Sequence, residues 1–521
     1  DFMRSTPFLI DLRKLMVSLA ANVFRILPKR NHATAHSYCR FEPSWLFFLK
    51  VYDSQEETWE FKAMSVGKQF ESIIPEKFRW RNWAVDKKDG QALTGEELLE
   101  FINGADGLFN TLKNLPVDAG TPRGKSIVKE VFSDLNQYMK NGILLRQIIN
   151  VIDEIDFADA DDRHTFGDIY EGILKDLQSA GHAGEFYTPR ALTDFMVRTL
   201  KPQLGEKFGD FTSGTGGFLT SALDYLNKQV KTTEDFENFQ NAVVGQEWKP
   251  LPYLLSITNL LVHDIEAPNI RHCDSLATKM SDFKEDDKVD VIAMNPPYGG
   301  STEASVKGNF PMDMRSSETA DLFMVLIMYR LKRHGRAAVI VPDGFLFGVD
   351  GAKLAIKTKM LKEFNLHTII RLPGSIFAPY TSIATNILFF NNERADGASE
   401  GYSTIETWFY RLDMPEGYKH FSKTKPMKLE HCKPIEDWWG DRKEIIVEEG
   451  NEKSRKFSAE ELVSMDCNFD QCKFPKEEEE VLPPAELLSD YFKKRKALDY
   501  EIDKTLAEIQ RILGIEIKPE E

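Results

Sequence analysis

At 521 residues the chain is long enough for about two to four domains. Its 42% hydrophobic and 28% charged residues are ordinary globular values, which excludes a disordered or fibrous chain. A net charge of −16, from 66 basic and 82 acidic residues, excludes a protein that grips nucleic acid nonspecifically by its own field; work on DNA would need a local basic cleft or a basic partner.

Five thinly scattered cysteines make no disulfide framework and fit a reducing cytoplasm. The longest apolar run, 251–262, is broken by Pro252, Ser256, Thr258 and Asn259 and falls short of the roughly 20 residues of a membrane span. Residues 15–24 have the outline of a signal-peptide core but read as a helix of the body.

Residues 1–160 read as an N-terminal helical domain. Val128, Val131, Phe132, Leu135 and Met139, then Ile143, Leu145, Ile149, Ile152 and Ile155, recur at helical spacing. The pattern predicts a helix or a helix pair broken near Asn141-Gly142. Residues 161–395 alternate strand-like segments (207–212, 242–247, 288–294, 335–341, 366–372, 384–390) with helix-like ones (217–230, 250–263, 319–333, 352–364). This predicts an α/β domain with a parallel sheet between helices, and ligands beyond the carboxyl ends of its strands. Residues 396–482 read as an extension of that region. A helical tail, 483–521, carries one apolar seam through Tyr491, Leu498, Ile502, Leu506, Ile509 and Leu513. Such a seam packs either on its own domain or on another subunit.

Four motifs carry chemistry. Asp210-Phe-Thr-Ser-Gly-Thr-Gly-Gly217 joins a strand to a helix. Its glycines allow a tight turn and a close ligand approach, and the helix start leaves free N–H groups. It is neither G-x-G-x-x-G nor a P-loop, and a plain strand–helix turn has the same form. Glu247 ends the next strand, where a carboxylate can accept from both ribose hydroxyls of an adenosine cofactor, although the spacing exceeds the usual roughly 20 residues. A surface glutamate would look the same. Asp274, in Arg-His-Cys-Asp-Ser-Leu, could accept from an adenine amino group or be a solvated loop aspartate.

The most specific motif is Asn295-Pro296-Pro297-Tyr298, directly after a strand. Two prolines cannot continue a ladder, so they fix a rigid loop at the sheet edge. They supply carbonyls, Asn295 an amide and Tyr298 a flat face: acceptors and a stacking surface for a planar amino compound. Finally, Glu185-Phe186-Tyr187-Thr188-Pro189-Arg190 precedes an apolar helix. Thr188 reads as its N-cap with Pro189 at the first helical position, and Phe186 and Tyr187 as a cofactor wall.

Taken in order, Glu-Phe-Tyr-Thr-Pro-Arg, Ser-Gly-Thr-Gly-Gly-Phe-Leu, Gly-Gln-Glu and Asn-Pro-Pro-Tyr resemble the modification (methyltransferase) subunit of type I restriction–modification systems. Asp168-Ile-Tyr-Glu171 and the segment from Gly335 to Asp343 agree. Phe211 departs from the proline common there. The resemblance implies a Rossmann-like S-adenosylmethionine-dependent methyltransferase domain between an N-terminal helical domain and a C-terminal helical tail. It implies N6-adenine methylation of duplex DNA without a metal. Its partners would be a specificity subunit that reads the target, a second copy of the chain and a restriction subunit. The implied cofactor residues are Glu185, Phe186, Tyr187, Thr188, Pro189, Arg190, Ser213, Gly214, Thr215, Gly216, Gly217, Glu247 and Asp274. The implied catalytic residues are Asn295, Pro296, Pro297 and Tyr298. Two rival readings are a protein glutamine-amide methyltransferase, separable by assay on DNA against protein substrates, and a non-catalytic cofactor- or DNA-binding subunit, separable by binding without methyl transfer.

Overall fold

The computed structural model describes residues 44–85, 92–155, 188–300, 302–378, 381–422, 424–448, 450–475 and 484–513. The chain divides into two compact units, 1–473 and 474–521.

In the first unit the leading helices are α1 (Ser44–Ser65), α2 (Arg123–Ser133) and α3 (Gly142–Asp153), with shorter helices between α1 and α2. The predicted helix pair is present. Its break is wider than Asn141-Gly142, since α2 ends at Ser133 and Met139 lies between the helices. Asn141 caps α3 by accepting from the Leu144 N–H at 3.0 Å. Trp45, Phe48, Leu49 and Tyr52 of α1 are buried.

The following helices are α4 (Arg190–Leu200), α5 (Gly217–Asn227), α6 (Pro250–Val262), α7 (Thr319–Arg330) and α8 (Gly351–Glu363). Gln55 on α1 donates to the Leu261 carbonyl of α6 at 3.2 Å, and both helices share one hydrophobic core. The N-terminal helices thus continue one layer of the sheet domain.

The sheet has ten strands in the order β3-β2-β1-β4-β5-β7-β6-β8-β10-β9. They are β1 (Phe208–Asp210), β2 (Val243–Glu247), β3 (Ile270–His272), β4 (Val289–Met294), β5 (Leu331–Pro342), β6 (Asn365–Arg371), β7 (Thr385–Asn391), β8 (Glu406–Arg411), β9 (Ile445–Glu448) and β10 (Asn451–Ser458). Along β4, Val291 and Ala293 join one core while Ile292 and Met294 join the other. Both faces are covered, so the strand reads as a continuous apolar run.

The sheet is mixed, which corrects the all-parallel expectation. β7 runs antiparallel to β5 and β6, and β10 antiparallel to β8 and β9. A parallel neighbour needs a long crossover, usually a helix. The segment between β6 and β7 carries no long helix among its described residues, so β7 returns beside its predecessor. Strands β8 to β10 extend the same sheet well past residue 395.

The second unit holds helix α9 (Pro484–Leu513). Of the seam residues, Tyr491, Leu498, Ile502 and Leu506 are exposed on it, while the side chains of Ile509 and Leu513 lie outside the described residues.

The chain order reverses direction across the sheet at β1, whose neighbours are β2 on one side and β4 on the other. That switch point leaves a crevice beyond the carboxyl ends of β1 and β4. β1 ends in the crevice on Asp210, which is 1% exposed. Burial pushes its carboxyl up from the usual 3.8 to about 7, the nearby Glu247 charge adding to the rise and hydrogen bonds from Thr212 opposing it. The folded chain therefore holds this proton more tightly than the unfolded chain. The contribution to stability is full below about pH 4 and is lost as pH rises through about 7. Asp210→Asn keeps the oxygen that accepts from Thr212. It should raise the melting temperature relative to the native chain by on the order of a few degrees at pH 8, and by much less at pH 4. A difference that does not grow between those pH values in thermal unfolding would refute the buried-proton account.

Candidate active site

The glycine loop is fixed from three sides. Gly214 and Gly216 have positive φ angles of 53° and 86°, a region where side chains are strained. The Ser213 N–H donates to the Gln246 carbonyl of β2 at 3.0 Å, and Asn259 of α6 donates to the Thr215 carbonyl at 3.0 Å. A Cβ at Gly216 would make ordinary contact with α6, 3.4 Å from Ser256 Cβ, so the positive φ and not the packing calls for glycine there. α5 starts at Gly217 with no side-chain cap.

Glu247 stands across from this loop. Its carboxylate accepts from the Gly214 N–H and the Lys249 N–H, each at 2.8 Å. Burial raises its pKa, and these backbone donors oppose the rise. The Trp248 N–H bears on the carboxylate as well, and of about four lone-pair sites one remains for a ribose hydroxyl. Asp274 uses one oxygen to accept from the Leu276 N–H at 2.9 Å. Its neighbour Ser275 donates to the Phe211 carbonyl at 2.6 Å, which brings this turn against the glycine loop.

Asn295 follows β4 in the same crevice, beside β1. Thr212 donates to the Asn295 carbonyl at 3.5 Å, joining the glycine loop to the Asn-Pro-Pro-Tyr loop. Asn295 Nδ2 donates to Thr188 Oγ1 at 3.0 Å, and its Oδ1 is buried without a hydrogen bond of ordinary geometry. Pro296 is buried and Pro297 exposed; Thr319 at the start of α7 donates to the Pro297 carbonyl at 2.7 Å.

Tyr298 is 6% exposed. Burial raises its pKa, and an interaction with the Asn295 side chain acts against that. The flat face that the sequence assigned to Tyr298 is packed inward in this structure.

The segment before α4 differs from expectation. Glu185, Phe186 and Tyr187 lie outside the described residues, as do Asp168 to Glu171. Pro189, not Thr188, occupies the N-cap place of α4, and Arg190 is its first residue. The Thr188 hydroxyl serves Asn295 instead of the helix. The Arg190 guanidinium faces α5: it donates to Thr220 Oγ1 at 2.5 Å and pairs with Asp194 and Asp224. It thereby braces the helix that carries the glycine loop.

Sequence reasoning missed three participants. Trp248, 68% exposed, directly follows Glu247 and offers a flat apolar face at that strand end. Asn259 and Thr319 hold the two loops by long-range bonds. Only the Trp248 position carried a local signal, an aromatic after the strand-end acid.

The donor set suits S-adenosylmethionine. Glycines permit backbone approach at the β1 loop, a carboxylate with a spare lone pair ends β2, and a buried amide oxygen stands beside them at the end of β4. Among the described residues no group of three or more His, Cys, Asp or Glu side chains could hold a metal ion, and no helix is long and apolar enough to cross a membrane.

The N-6 DNA Methylase family model matches residues 161–481. The type I restriction enzyme EcoEI methylase subunit of Escherichia coli is 47% identical over 477 residues, 90% of this chain and 92% of that protein. The EcoKI methylase subunit of Escherichia coli strain K12 is 31% identical over 71% of this chain and 68% of its own. The crystal structure of a modification subunit of a putative type I restriction enzyme from Vibrio vulnificus YJ016 matches with a TM-score of 0.73 at 39% identity, covering 89% of this chain and 94% of that one. A chain from a structure describing complex assembly and conformational transition of the type I R-M system also gives 0.73, at 30% identity over 98% and 99%. The chain therefore belongs to the N-6 DNA methylase family as a type I restriction enzyme methylase subunit, and its reaction is N6-adenine methylation of DNA.

Proposed function

We propose that the crevice at β1 and β4 binds S-adenosylmethionine and a target adenine turned out of the duplex, and that Asn295 and Pro296 hold the adenine amino group during transfer. The observation that carries this reading is the Asn295 side-chain oxygen, buried without an ordinary hydrogen bond at the end of β4. An adenine N6 is a poor nucleophile because its lone pair is delocalised into the ring. Acceptors for its two hydrogens favour a tetrahedral nitrogen and localise that pair. Asn295 Oδ1 and the Pro296 carbonyl are those acceptors, aimed where charge develops. S-adenosylmethionine supplies a methyl group already activated on a sulfonium.

The glycine loop 213–217 lines the cofactor on one side, Glu247 accepts from a ribose hydroxyl, and Asp274 from its adenine amino group. Glu185, Phe186, Tyr187, Thr188 and Pro189 complete the wall, with Arg190 of α4 bracing it against α5. Turning a base out costs a few kcal/mol, which stacking on Tyr298 offsets in part once the ring is uncovered. Pro297 keeps the loop rigid, its carbonyl held by Thr319.

Target reading falls to a separate specificity subunit. Between Pro297 and α7 only a short loop intervenes, too little for a reading domain. The resemblance extends this assembly to a second copy of the chain and a restriction subunit. The relative solved in a study of type I complex assembly supports a multi-subunit arrangement.

Three outcomes check the assignments. Asn295→Ala should abolish methyl transfer while leaving S-adenosylmethionine affinity nearly unchanged; a matching loss of cofactor binding would contradict its role. Glu247→Ala should weaken cofactor binding in calorimetry, and unchanged affinity would remove it from the site. Tyr298→Ala should slow transfer more than Tyr298→Phe, because stacking needs the ring. Equal damage by both would shift the role to the hydroxyl beside Asn295.

A further inference from the structure

Thr188 stands immediately before α4 and caps nothing, since Pro189 takes the N-cap place without a side-chain bond. Its hydroxyl reaches across 107 residues of sequence to accept from Asn295 Nδ2 at 3.0 Å. A carboxamide carries donors at one end and an acceptor at the other, and turning it over exchanges them with little change in shape. Its terminal torsion is intrinsically soft and a hydroxyl can serve either end, but a base amino group brings only donors: the oxygen must face the base, and Nδ2 then needs the acceptor that Thr188 Oγ1 supplies. With Nδ2 bound at Thr188, the end left over is the oxygen, buried and lacking an ordinary hydrogen bond. A buried acceptor that no hydrogen bond of ordinary geometry serves gains from an entering donor. An amino group entering the crevice is such a donor. In the opposite orientation, N–H would meet N–H.

We propose that Thr188 is a positioning residue for the substrate base: it holds the Asn295 amide with its oxygen toward the adenine amino group. The proposal rests on the assignment of Asn295 as the acceptor. It places the Thr-Pro-Arg segment in base positioning as well as in the cofactor wall. The glycine loop also lies against Asn295, with Thr212 Oγ1 3.5 Å from its carbonyl oxygen.

The test uses the full chain in its assembled complex. Single-turnover transfer from tritiated S-adenosylmethionine to duplex DNA is measured beside calorimetric cofactor affinity and DNA affinity. Thr188→Val keeps the shape and removes the acceptor; it should slow transfer by about tenfold, well beyond any loss of cofactor affinity, with DNA affinity within about twofold of native. Thr188→Ser restores the acceptor and should recover the rate to within about threefold of native. If the valine variant does not fold, Thr188→Ala carries the same comparison. A native rate in the variant lacking the hydroxyl, failure of serine to rescue, or a loss of cofactor affinity equal to the loss of rate overturns the proposal. Asn295→Ala is the control on the underlying reading: a native rate there overturns the assignment of Asn295 itself, whereas a dead Asn295→Ala beside an unaffected Thr188→Val overturns only the positioning role.

Discussion

Every group assigned to the reaction depends on the pairing of β1 with β4, Phe208 opposite Val291 and Gly209 opposite Ile292. This contact brings together two loops separated by about a sixth of the chain. It needs a residue without a side chain in β1: a Cβ at Gly209 would lie 2.9 Å from Val289 Cγ2 and 3.1 Å from Phe211 Cζ. Phe211, the residue that departs from the resembled motif, is buried and packs under the Arg330 guanidinium at 3.9 Å from its ring centroid. Arg330 also donates to the Asp287 carbonyl at 2.7 Å, just before β4. The departure at 211 is thus absorbed by a cation over the ring, and β1 still ends on Asp210 at the crevice.

The far side of the Asn-Pro-Pro-Tyr loop depends on a buried ion cluster. Lys353 of α8 bridges Asp321 at 2.9 Å and Glu318 at 2.7 Å, and Ser316 donates to Asp321 at 2.5 Å. Lys353 and Asp321 are 3% and 0% exposed. Breaking such a pair by removing one partner typically costs about 3–5 kcal/mol, because a charge is left buried. The cluster fixes the first turn of α7, and from that turn Thr319 holds the Pro297 carbonyl. Gly300 answers the same contact: a Cβ there would meet Thr319 Cγ2 at 3.3 Å. The loop is held by α7 behind and by Thr188 and Thr212 in front. Two prolines alone would fix its backbone torsions without fixing its place.

The sequence carried the central strands, their order of motifs and the family, because those features are local: apolar runs, glycine turns and Pro-Pro at a strand end. Membership also decides the acceptor in favour of DNA over a protein glutamine amide. What sequence reading missed was long-range or short. β3 has three residues with Arg271 exposed, and β10, Asn-Glu-Lys-Ser-Arg-Lys-Phe-Ser, is polar enough to hide any apolar alternation. β7 looked parallel because strand propensity has no direction. Thr188 before Pro189 satisfied a local capping rule, but its hydroxyl bonds a residue that no window around α4 contains. The Glu247 carboxylate was expected at the cofactor and also proves to anchor Gly214. The burial of the Tyr298 ring was not legible, because nothing in a tetrapeptide reports burial.

The crevice is electrostatically unfriendly to further negative charge, and this bears on why its proposed base-holding groups are neutral. Asp210 is pushed to about 7, and Glu247 is also raised by burial. Two carboxyls at the ends of neighbouring strands already strain against ionisation, and the chain as a whole carries −16. A third carboxylate at position 295 would ionise against both and against the phosphates of an approaching duplex. An amide oxygen and a proline carbonyl accept the same hydrogens without that cost. They also suit the proposed transfer, in which the nitrogen lone pair is localised before the proton departs and no strong base acts in the ground state. The proposed neutral acceptors would thus let an acidic chain hold an amino group of DNA without adding to the charge of the crevice.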